Sequence, residues 1–215
     1  MGNGNLIFFG TAAIALPFLG ALKDAFDLRL IITQPDAKGG RSRRILPPAV
    51  KSFATAEDIP CIQPERLRAP DVRERISSYS PRIAVVVAYG KIIPKSIFSL
   101  PQHRTVNVHF SLLPAYRGAA PVQRAIENGD TATGITIFEI DRRMDTGDIW
   151  AQRRYPIDAK ETSAAALERL SREGAPFLVD TLRGIFRGSL EKTPQDHARA
   201  TLAPSITKEE GRVDW

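Results

Sequence analysis

The apolar run Ile83-Ala-Val-Val-Val-Ala88 decides the fold class, because a continuous stretch rich in valine is typical of a strand buried on both faces of a parallel sheet. Similar short runs flank it, separated by segments with helical patterning, which predicts repeated β-α-β units. The predicted strands cover residues 5–9, 28–33, 60–62, 83–88, 105–110, 134–140 and 149–156. The predicted helices cover residues 12–23, 48–58, 70–78, 94–99, 119–128 and 164–186, the last interrupted at Gly174-Ala175-Pro176. We expect an α/β fold with a mostly parallel sheet and helices on both faces.

Composition limits the alternatives. A chain of 215 residues, 43% of them hydrophobic, can bury one substantial core, so a single α/β domain is the default expectation. Residues 6–22 carry no charge, but Gly10-Thr11 and Pro17 interrupt them and no basic residue precedes them, which favours strand, turn and helix over a signal peptide or membrane span. The formal charge of +6 favours a polyanionic partner or simply a solvated surface, and both interpretations stay open.

Cofactor and metal signals are weak. A dinucleotide fingerprint must follow the first strand, where only Gly10 is present, so a nucleotide cofactor is not expected. The histidines His103, His109 and His197 lack metal-ligand spacing, and no metal is predicted. The single cysteine, Cys61, cannot form an internal disulfide, which fits a reducing, cytoplasmic setting.

Polar side chains stand at the end of the predicted strand 105–110. Alternate residues of a strand share a face, so Asn107 and His109 point the same way. An amide can donate a hydrogen bond to an oxyanion, and an imidazole can move protons between an amine and a leaving nitrogen. Asp145, in the loop between the strands 134–140 and 149–156, could orient the imidazole. The three residues together suit acyl transfer to an amine. The alternative for the Asn-x-His pair is that both side chains only form hydrogen bonds that stabilise the fold.

A basic segment lies between the second predicted strand and the second helix. Residues 36–47 contain Lys38, Arg41, Arg43 and Arg44, with Lys51 nearby. Cationic side chains on a flexible, glycine-containing loop can bind phosphates. An ordinary solvated loop is the alternative.

Several motifs together resemble the folate-dependent formyltransferases. They are Asn107-Val-His-Phe-Ser-Leu-Leu-Pro114, Arg117-Gly-Ala-Ala-Pro-Val-Gln123, Met144-Asp-Thr-Gly-Asp148 and Val85-Val-Val-Ala-Tyr-Gly90. The likeness runs nearly end to end. The first motif is shared with formyltransferases that act on glycinamide ribonucleotide or sugar nucleotides, whereas the basic loop and the second motif resemble the branch of the family that acts on methionyl-tRNA.

The resemblance implies a Rossmann-like sheet and transfer of a formyl group from 10-formyltetrahydrofolate to the α-amino group of initiator methionyl-tRNA. In that reaction Asn107 and protonated His109 would stabilise the oxyanion, and Asp145 with His109 would handle the protons. The implied folate-binding residues are Val87, Ala88, Tyr89, Gly90, Ile92, Glu139, Ile140 and Asp141. The implied acceptor-binding residues are Ser111, Leu112, Leu113, Pro114, Arg41, Arg43, Arg44 and Arg117, although Arg117 could equally cap the following helix. We expect no bound metal and no membrane association, and we expect the protein to be a monomer.

Other functions stay open beside this one: formyl transfer to another amine, such as an amino-sugar nucleotide or glycinamide ribonucleotide, and a folate-binding module with little turnover. The sequence departs from the family pattern at Phe110, where a small residue or proline is usual, at Arg143, where glycine is usual, and at Ala12-Ala13-Ile14. We expect residues 1–189 to form the catalytic domain and residues 190–215 to be a linker and the start of a second, C-terminal domain that is absent from this chain.

Overall fold

A seven-stranded sheet forms the centre of the computed structural model, which describes residues 4–39 and 44–212. The strands are β1 (Asn5–Gly10), β2 (Asp27–Ile32), β3 (Ala37–Gly39), β4 (Arg44–Leu46), β5 (Cys61–Ile62), β6 (Ile83–Val87), β7 (Thr105–His109), β8 (Ala132–Glu139) and β9 (Ile149–Pro156). The order in the main sheet is β5-β2-β1-β6-β7-β8-β9. The first five strands in this order pair in parallel, whereas β8 runs antiparallel to both of its neighbours. The prediction of a mostly parallel α/β sheet is confirmed.

Helices cover both faces of the sheet. They are α1 (Leu16–Ala25), α2 (Ala49–Ala56), α3 (Pro70–Ser78), α4 (Lys95–Phe98), α5 (Pro121–Glu127) and α6 (Ser163–Arg187). Successive strand residues alternate between the faces: Phe8 packs in the same apolar core as α1 and α6, while Phe9 packs in a second core with α3 and α4. In the described part of the chain no helix combines the length and apolarity needed to cross a bilayer.

The predicted interruption of the last helix is wrong. Helix α6 runs through Pro176 without a break, from the N-cap Thr162, whose hydroxyl accepts a hydrogen bond from the Ala165 amide, to Gly188 with φ of 67°. Proline inside a helix costs about 3 kcal/mol. The buried stripe of α6, which includes Leu170, Leu178 and Leu182, offsets that cost through tertiary packing.

The basic segment is not simply a loop. Its two ends pair as an antiparallel ribbon, in which Ala37 faces Leu46 and Gly39 faces Arg44. The β-branched Ile45 suits a strand, although its side chain is 68% exposed. Arg41 and Arg43 lie outside the described residues. The segment therefore presents its described basic residues, Lys38 and Arg44, from paired strands.

Candidate active site

A cavity of about 620 Å³ opens beyond the carboxyl ends of β6 and β7. Open α/β sheets bind ligands at this edge, because the loops that follow neighbouring parallel strands meet there. Its wall combines the turn after β6, the end of β7, the segment 118–123 and the loop after β8. Asn107, His109 and Asp145 all line it, so the structure brings together the three residues predicted to be catalytic.

Asn107 presents a free amide to the cavity. Its main chain is held on both sides, opposite Val86 in β6 and Phe138 in β8. Its side chain is partly exposed, and no hydrogen bond of that side chain to another described residue is present. A rigid backbone with an uncommitted amide is what oxyanion stabilisation requires, since the donor is in place before charge develops.

The His109 ring is fixed between two oxygen atoms. Nε2 lies 2.8 Å from the carbonyl oxygen of Tyr116, and Nδ1 lies 3.7 Å from Oδ2 of Asp145. A carbonyl oxygen only accepts, so Nε2 carries a proton and Nδ1 is the nitrogen left to take one. Burial lowers the pKa of the imidazole, and the Asp145 carboxylate raises it by a smaller amount. The lowered pKa favours a neutral resting ring near pH 7, whereas the resemblance implies a protonated His109 at the moment when it stabilises the oxyanion.

Asp145 sits in a strained and closely packed loop. Its φ of 55° lies in the left-handed region, and Oδ2 accepts a hydrogen bond of 2.8 Å from the Gly118 amide. Two residues further on, a Cβ at Gly147 would collide with the carbonyl oxygen of Glu139, so only glycine fits there. Such backbone strain, typically about 1–3 kcal/mol, persists only where surrounding contacts fix it.

The two bulky departures from the family pattern do not close the cavity. Arg143 is exposed and lies outside the left-handed region, and its amide donates to the Asp141 carboxylate at 2.9 Å. The Phe110 ring packs edge-on against Phe18, with 6.0 Å between ring centroids, so most of its bulk is absorbed by the core.

Most of the predicted folate-binding residues line the cavity: Ala88, Tyr89, Gly90, Ile92, Ile140 and Asp141. Tyr89 is the anchor of this wall. Its ring is buried edge-on against Phe9, and its carbonyl oxygen accepts hydrogen bonds from the side chains of Thr11 and Gln34. Burial raises the pKa of the Tyr89 hydroxyl to about 12, so the group stays neutral.

Val87 and Glu139 are not among the described residues that line the cavity. Val87 points into the core that also holds α1 and α6, since it alternates with Val86, which does line the cavity. The Glu139 carboxylate is drawn away to Lys192, at 2.8 Å. The predicted folate contacts of Val87 and Glu139 therefore stay predictions, and in this geometry their side chains point away from the cavity.

Residues 111–114 lie behind the site, and none of them is among the described wall residues. The Ser111 hydroxyl donates to the Ala115 carbonyl at 2.6 Å, and the Leu113 amide donates to the Thr136 hydroxyl at 3.1 Å. These contacts shape the turn that presents the Tyr116 carbonyl to His109. Of the four residues predicted to bind substrate, Ser111, Leu112, Leu113 and Pro114, the first and third are buried, and Leu112 and Pro114 are partly exposed.

Arg117 also lies elsewhere than expected. Its side chain is only 7% exposed, and its guanidinium donates to Oε1 of Gln195 at 2.6 Å and to Nδ1 of His197 at 2.9 Å. Its side chain is buried rather than facing solvent, where it could bind a phosphate, and it does not cap α5, because a guanidinium has no acceptor for the free N–H groups at the start of a helix. Both partners come from the predicted linker, about eighty residues later in the chain.

Sequence reasoning missed several residues of the wall. Ile14, Gln123, Met144 and Leu167 line the cavity, and they come from four different parts of the chain. For Ile14, the sequence signal was the departure from the family pattern at Ala12-Ala13-Ile14. Gln123 was visible within the motif that begins at Arg117, whereas Leu167 looks like any other apolar residue of an amphipathic helix.

The geometry agrees with comparisons to known proteins. A family model described as formyl transferase matches residues 6–182. The chain belongs to the formyl transferase family. Similar proteins include the methionyl-tRNA formyltransferases of Acidobacterium capsulatum, 44% identical over 98% of this chain and 68% of that protein, and of Geotalea uraniireducens, 44% identical over 100% of this chain and 69% of that protein.

Solved structures show the same fold for this formyltransferase. The N-formyltransferase from Helicobacter canadensis, solved with folinic acid and dTDP-3-aminofucose, has a TM-score of 0.72 at 21% identity and covers 98% of this chain and 72% of that one. Glycinamide ribonucleotide transformylase 1 from Symbiobacterium toebii has a TM-score of 0.73 at 16% identity, covering 91% of this chain and 95% of that one. Within the described residues of this formyltransferase, no cluster of three or more His, Cys, Asp or Glu side chains is arranged to hold a metal ion.

Proposed function

We propose that this formyltransferase transfers the formyl group of 10-formyltetrahydrofolate to the α-amino group of initiator methionyl-tRNA. The observation that carries the proposal is geometric: Nδ1 of His109 faces the Asp145 carboxylate at 3.7 Å, beside the uncommitted amide of Asn107 in the wall of the cavity. The relatives named methionyl-tRNA formyltransferase, 40–44% identical over nearly the whole chain, support the choice of acceptor.

The cavity suits the folate. Its volume lies within the ~300–1,000 Å³ usual for small-molecule sites, and most of the surface of its wall is apolar. The backbone from Ala88 to Gly90 and at Ile140 would hold the pterin ring, and Tyr89 fixes that wall by its burial. The folate supplies an activated formyl carbon bonded to N10.

Each of the three polar residues has a defined task in the transfer. Asn107 donates its amide N–H to the formyl oxygen, which gains negative charge when the amine nitrogen bonds to the formyl carbon. His109 takes the proton that the amine loses, at Nδ1. Asp145 stabilises the resulting imidazolium from one side, and the Tyr116 carbonyl accepts its other N–H. His109 then returns the proton to N10 as the bond between N10 and the carbon breaks, so no covalent enzyme intermediate forms.

The proposed acceptor, tRNA, is a polyanion, and the positive charge of the chain supports this choice. The chain has a formal charge of +6, the paired strands β3 and β4 carry Lys38 and Arg44, and the sequence between them contains Arg41 and Arg43. Phosphate contacts by such residues position a nucleic acid without reading its sequence. The proposed substrate places the enzyme in the cytoplasm, and we expect it to act as a monomer.

Parallel assays with different acceptors test the proposal. The purified chain is incubated with radiolabelled 10-formyltetrahydrofolate and, in separate reactions, with charged initiator tRNA, a dTDP-amino sugar or glycinamide ribonucleotide. We expect formylation of the aminoacyl-tRNA at the highest kcat/KM. A higher kcat/KM for either small amine would overturn the choice of acceptor. Binding of folate without transfer to any acceptor would identify a folate-binding module instead.

A further inference from the structure

The C-terminal tail, residues 190–204, runs beside two segments that contact the catalytic pair: residues 116–118, which bind His109 and Asp145, and the loop that contains Asp145. Thr193 exchanges two backbone hydrogen bonds with Ile149, just after the Asp145 loop. Further along, the Arg117 amide donates to Thr201, and the Ala203 amide donates to the Arg117 carbonyl, so the tail also runs beside the segment that contains Tyr116 and Gly118. The tail thus touches the loops on both sides of the catalytic pair.

Gln195 is the side chain through which the tail reaches the site. It is 6% exposed, and its amide makes four hydrogen bonds. Its Oε1 accepts from Nε and Nη2 of Arg117, at 3.2 and 2.6 Å. Its Nε2 donates to the carbonyl oxygens of Asp145 and Gly147, at 3.0 and 2.7 Å. Every hydrogen-bonding position of the amide group is therefore used.

We propose that Gln195 is a positioning residue for formyl transfer, whose amide holds residues 145–147 so that the Asp145 carboxylate faces Nδ1 of His109. The inference rests on the proposed function, because it assigns a role within that reaction. The left-handed backbone of Asp145 needs contacts that fix it, and Gln195 binds the carbonyl of that residue and the carbonyl two residues later. Arg117 fixes Gln195 in turn.

Only an amide meets both demands at this position. The carbonyl half must accept from a buried guanidinium, and the N–H half must donate to two main-chain carbonyls. A glutamate keeps the contact with Arg117 but loses the donor and sets a carboxylate oxygen against two carbonyl oxygens. A methionine keeps the approximate length and adds no charge, but it loses both halves. The two substitutions therefore separate docking of the tail from positioning of the loop.

Steady-state kinetics of Gln195→Glu and Gln195→Met give the first test. We expect kcat for formyl transfer to methionyl-tRNA to fall about 10- to 100-fold in both, because displacement of a catalytic group by about 1 Å costs up to this much. The KM for the tRNA should change less than about twofold. The matched control is Glu191→Ala, which removes an exposed side chain of the same tail and should leave kcat unchanged. Full activity of Gln195→Glu would overturn the proposal.

A double-mutant cycle with Asp145→Asn asks whether Gln195 acts through Asp145. If it does, Gln195→Glu lowers kcat by less than about twofold once Asp145 is already replaced, since the group being positioned is gone. Equal losses in both backgrounds would show a structural effect independent of Asp145 and would overturn the proposal.

An NMR titration of the His109 ring needs no turnover and no particular substrate. The Asp145 carboxylate raises the pKa of His109, so its displacement in the neutral Gln195→Met variant should lower that pKa. Arg117, Asp141 and Arg143 flank the same loop and are unchanged in this comparison. An unaltered His109 titration, in a variant whose circular dichroism shows that it is folded, would overturn the inference. If the wild-type chain transferred no formyl group, the proposed function would fail and the titration alone would decide the inference.

Discussion

Replacing Asp145 by asparagine tests the catalytic pair most directly. The amide oxygen of Asn can still accept from the Gly118 amide, so the loop keeps its anchor while the negative charge is lost. The charge faces Nδ1 of His109 at 3.7 Å, and both side chains are nearly buried, with exposures of 7% and 12%. At an effective dielectric constant of about 20, a pair at that distance is worth roughly 4 kcal/mol, which is an upper bound for the stabilisation of the imidazolium.

That energy corresponds to a loss in kcat of up to about 10³-fold, and we expect 10²- to 10³-fold, because water admitted to the site recovers part of it. The rate should be measured from pH 5 to 9 with saturating folate and tRNA. Activity needs the neutral ring, so it falls at acid pH as His109 takes up a proton. Removing the carboxylate lowers the pKa of His109 further, and the acid limb should move to lower pH.

The control is Asp148→Asn, which removes a carboxylate from the same region whose nearest cation is Lys192 at 3.9 Å. It should keep more than about half of the wild-type kcat, since exposed ion pairs contribute little. The reasoning would be refuted if Asp145→Asn retained a tenth of the wild-type kcat, or if its acid limb moved to higher pH.

Three further predictions follow from the same geometry. Asn107→Ala should lower kcat about 10²- to 10³-fold while the affinity for 5-formyltetrahydrofolate, measured by calorimetry, stays within about threefold; a small kcat effect would remove the oxyanion role. Arg41→Ala and Arg44→Ala should each weaken transfer to tRNA and reduce its salt dependence by about one counterion, yet spare hydrolysis of the formyl donor; equal loss of both activities would assign these arginines to the formyl-transfer site itself. Burial lowers the pKa of His109 in the folded protein, so the unfolded chain binds a proton more tightly, and the free energy of unfolding is highest above about pH 6.5 and falls as the pH drops below it. In urea titrations at several pH values, His109→Gln should make this fall less steep. An unchanged dependence on pH would contradict the prediction.

The sheet could be predicted because its signal is local. A strand buried on both faces, such as β6, must be apolar throughout, and its sequence shows it. The predicted interruption of α6 was wrong because proline and glycine indicate a break from local sequence alone, whereas the packing of Leu178 in the core, which stabilises the helix, cannot be seen there. The pairing of β3 with β4 was missed because its glycine and basic residues are typical of a loop.

The site was predictable to the extent that strand periodicity fixes it. Asn107 and His109 are two residues apart on β7 and therefore share a face, whatever the rest of the chain does. Asp145 could be placed only in the loop between two predicted strands, and strand periodicity does not fix which way its side chain points. For Ser111, Leu112, Leu113 and Pro114 the sequence shows that they are close to His109 along the chain, but it does not show which of them face the cavity.

Arg117 shows most clearly why the remainder needed a structure. An arginine beside glycine and alanine looks exposed, and nothing near it in sequence indicates that Gln195 and His197 return to cover it. The tail itself lacks apolar periodicity because it contributes hydrogen bonds and the close contact of Ala203 with Gly118 rather than an apolar stripe. A Cβ at Gly118 would lie 2.5 Å from the Ala203 carbonyl, so that glycine is needed for the tail to dock. We therefore propose that the catalytic unit extends beyond residue 189 to Ala203: a boundary drawn where periodicity ends would remove the residue that holds the Asp145 loop, and composition alone cannot place such a boundary.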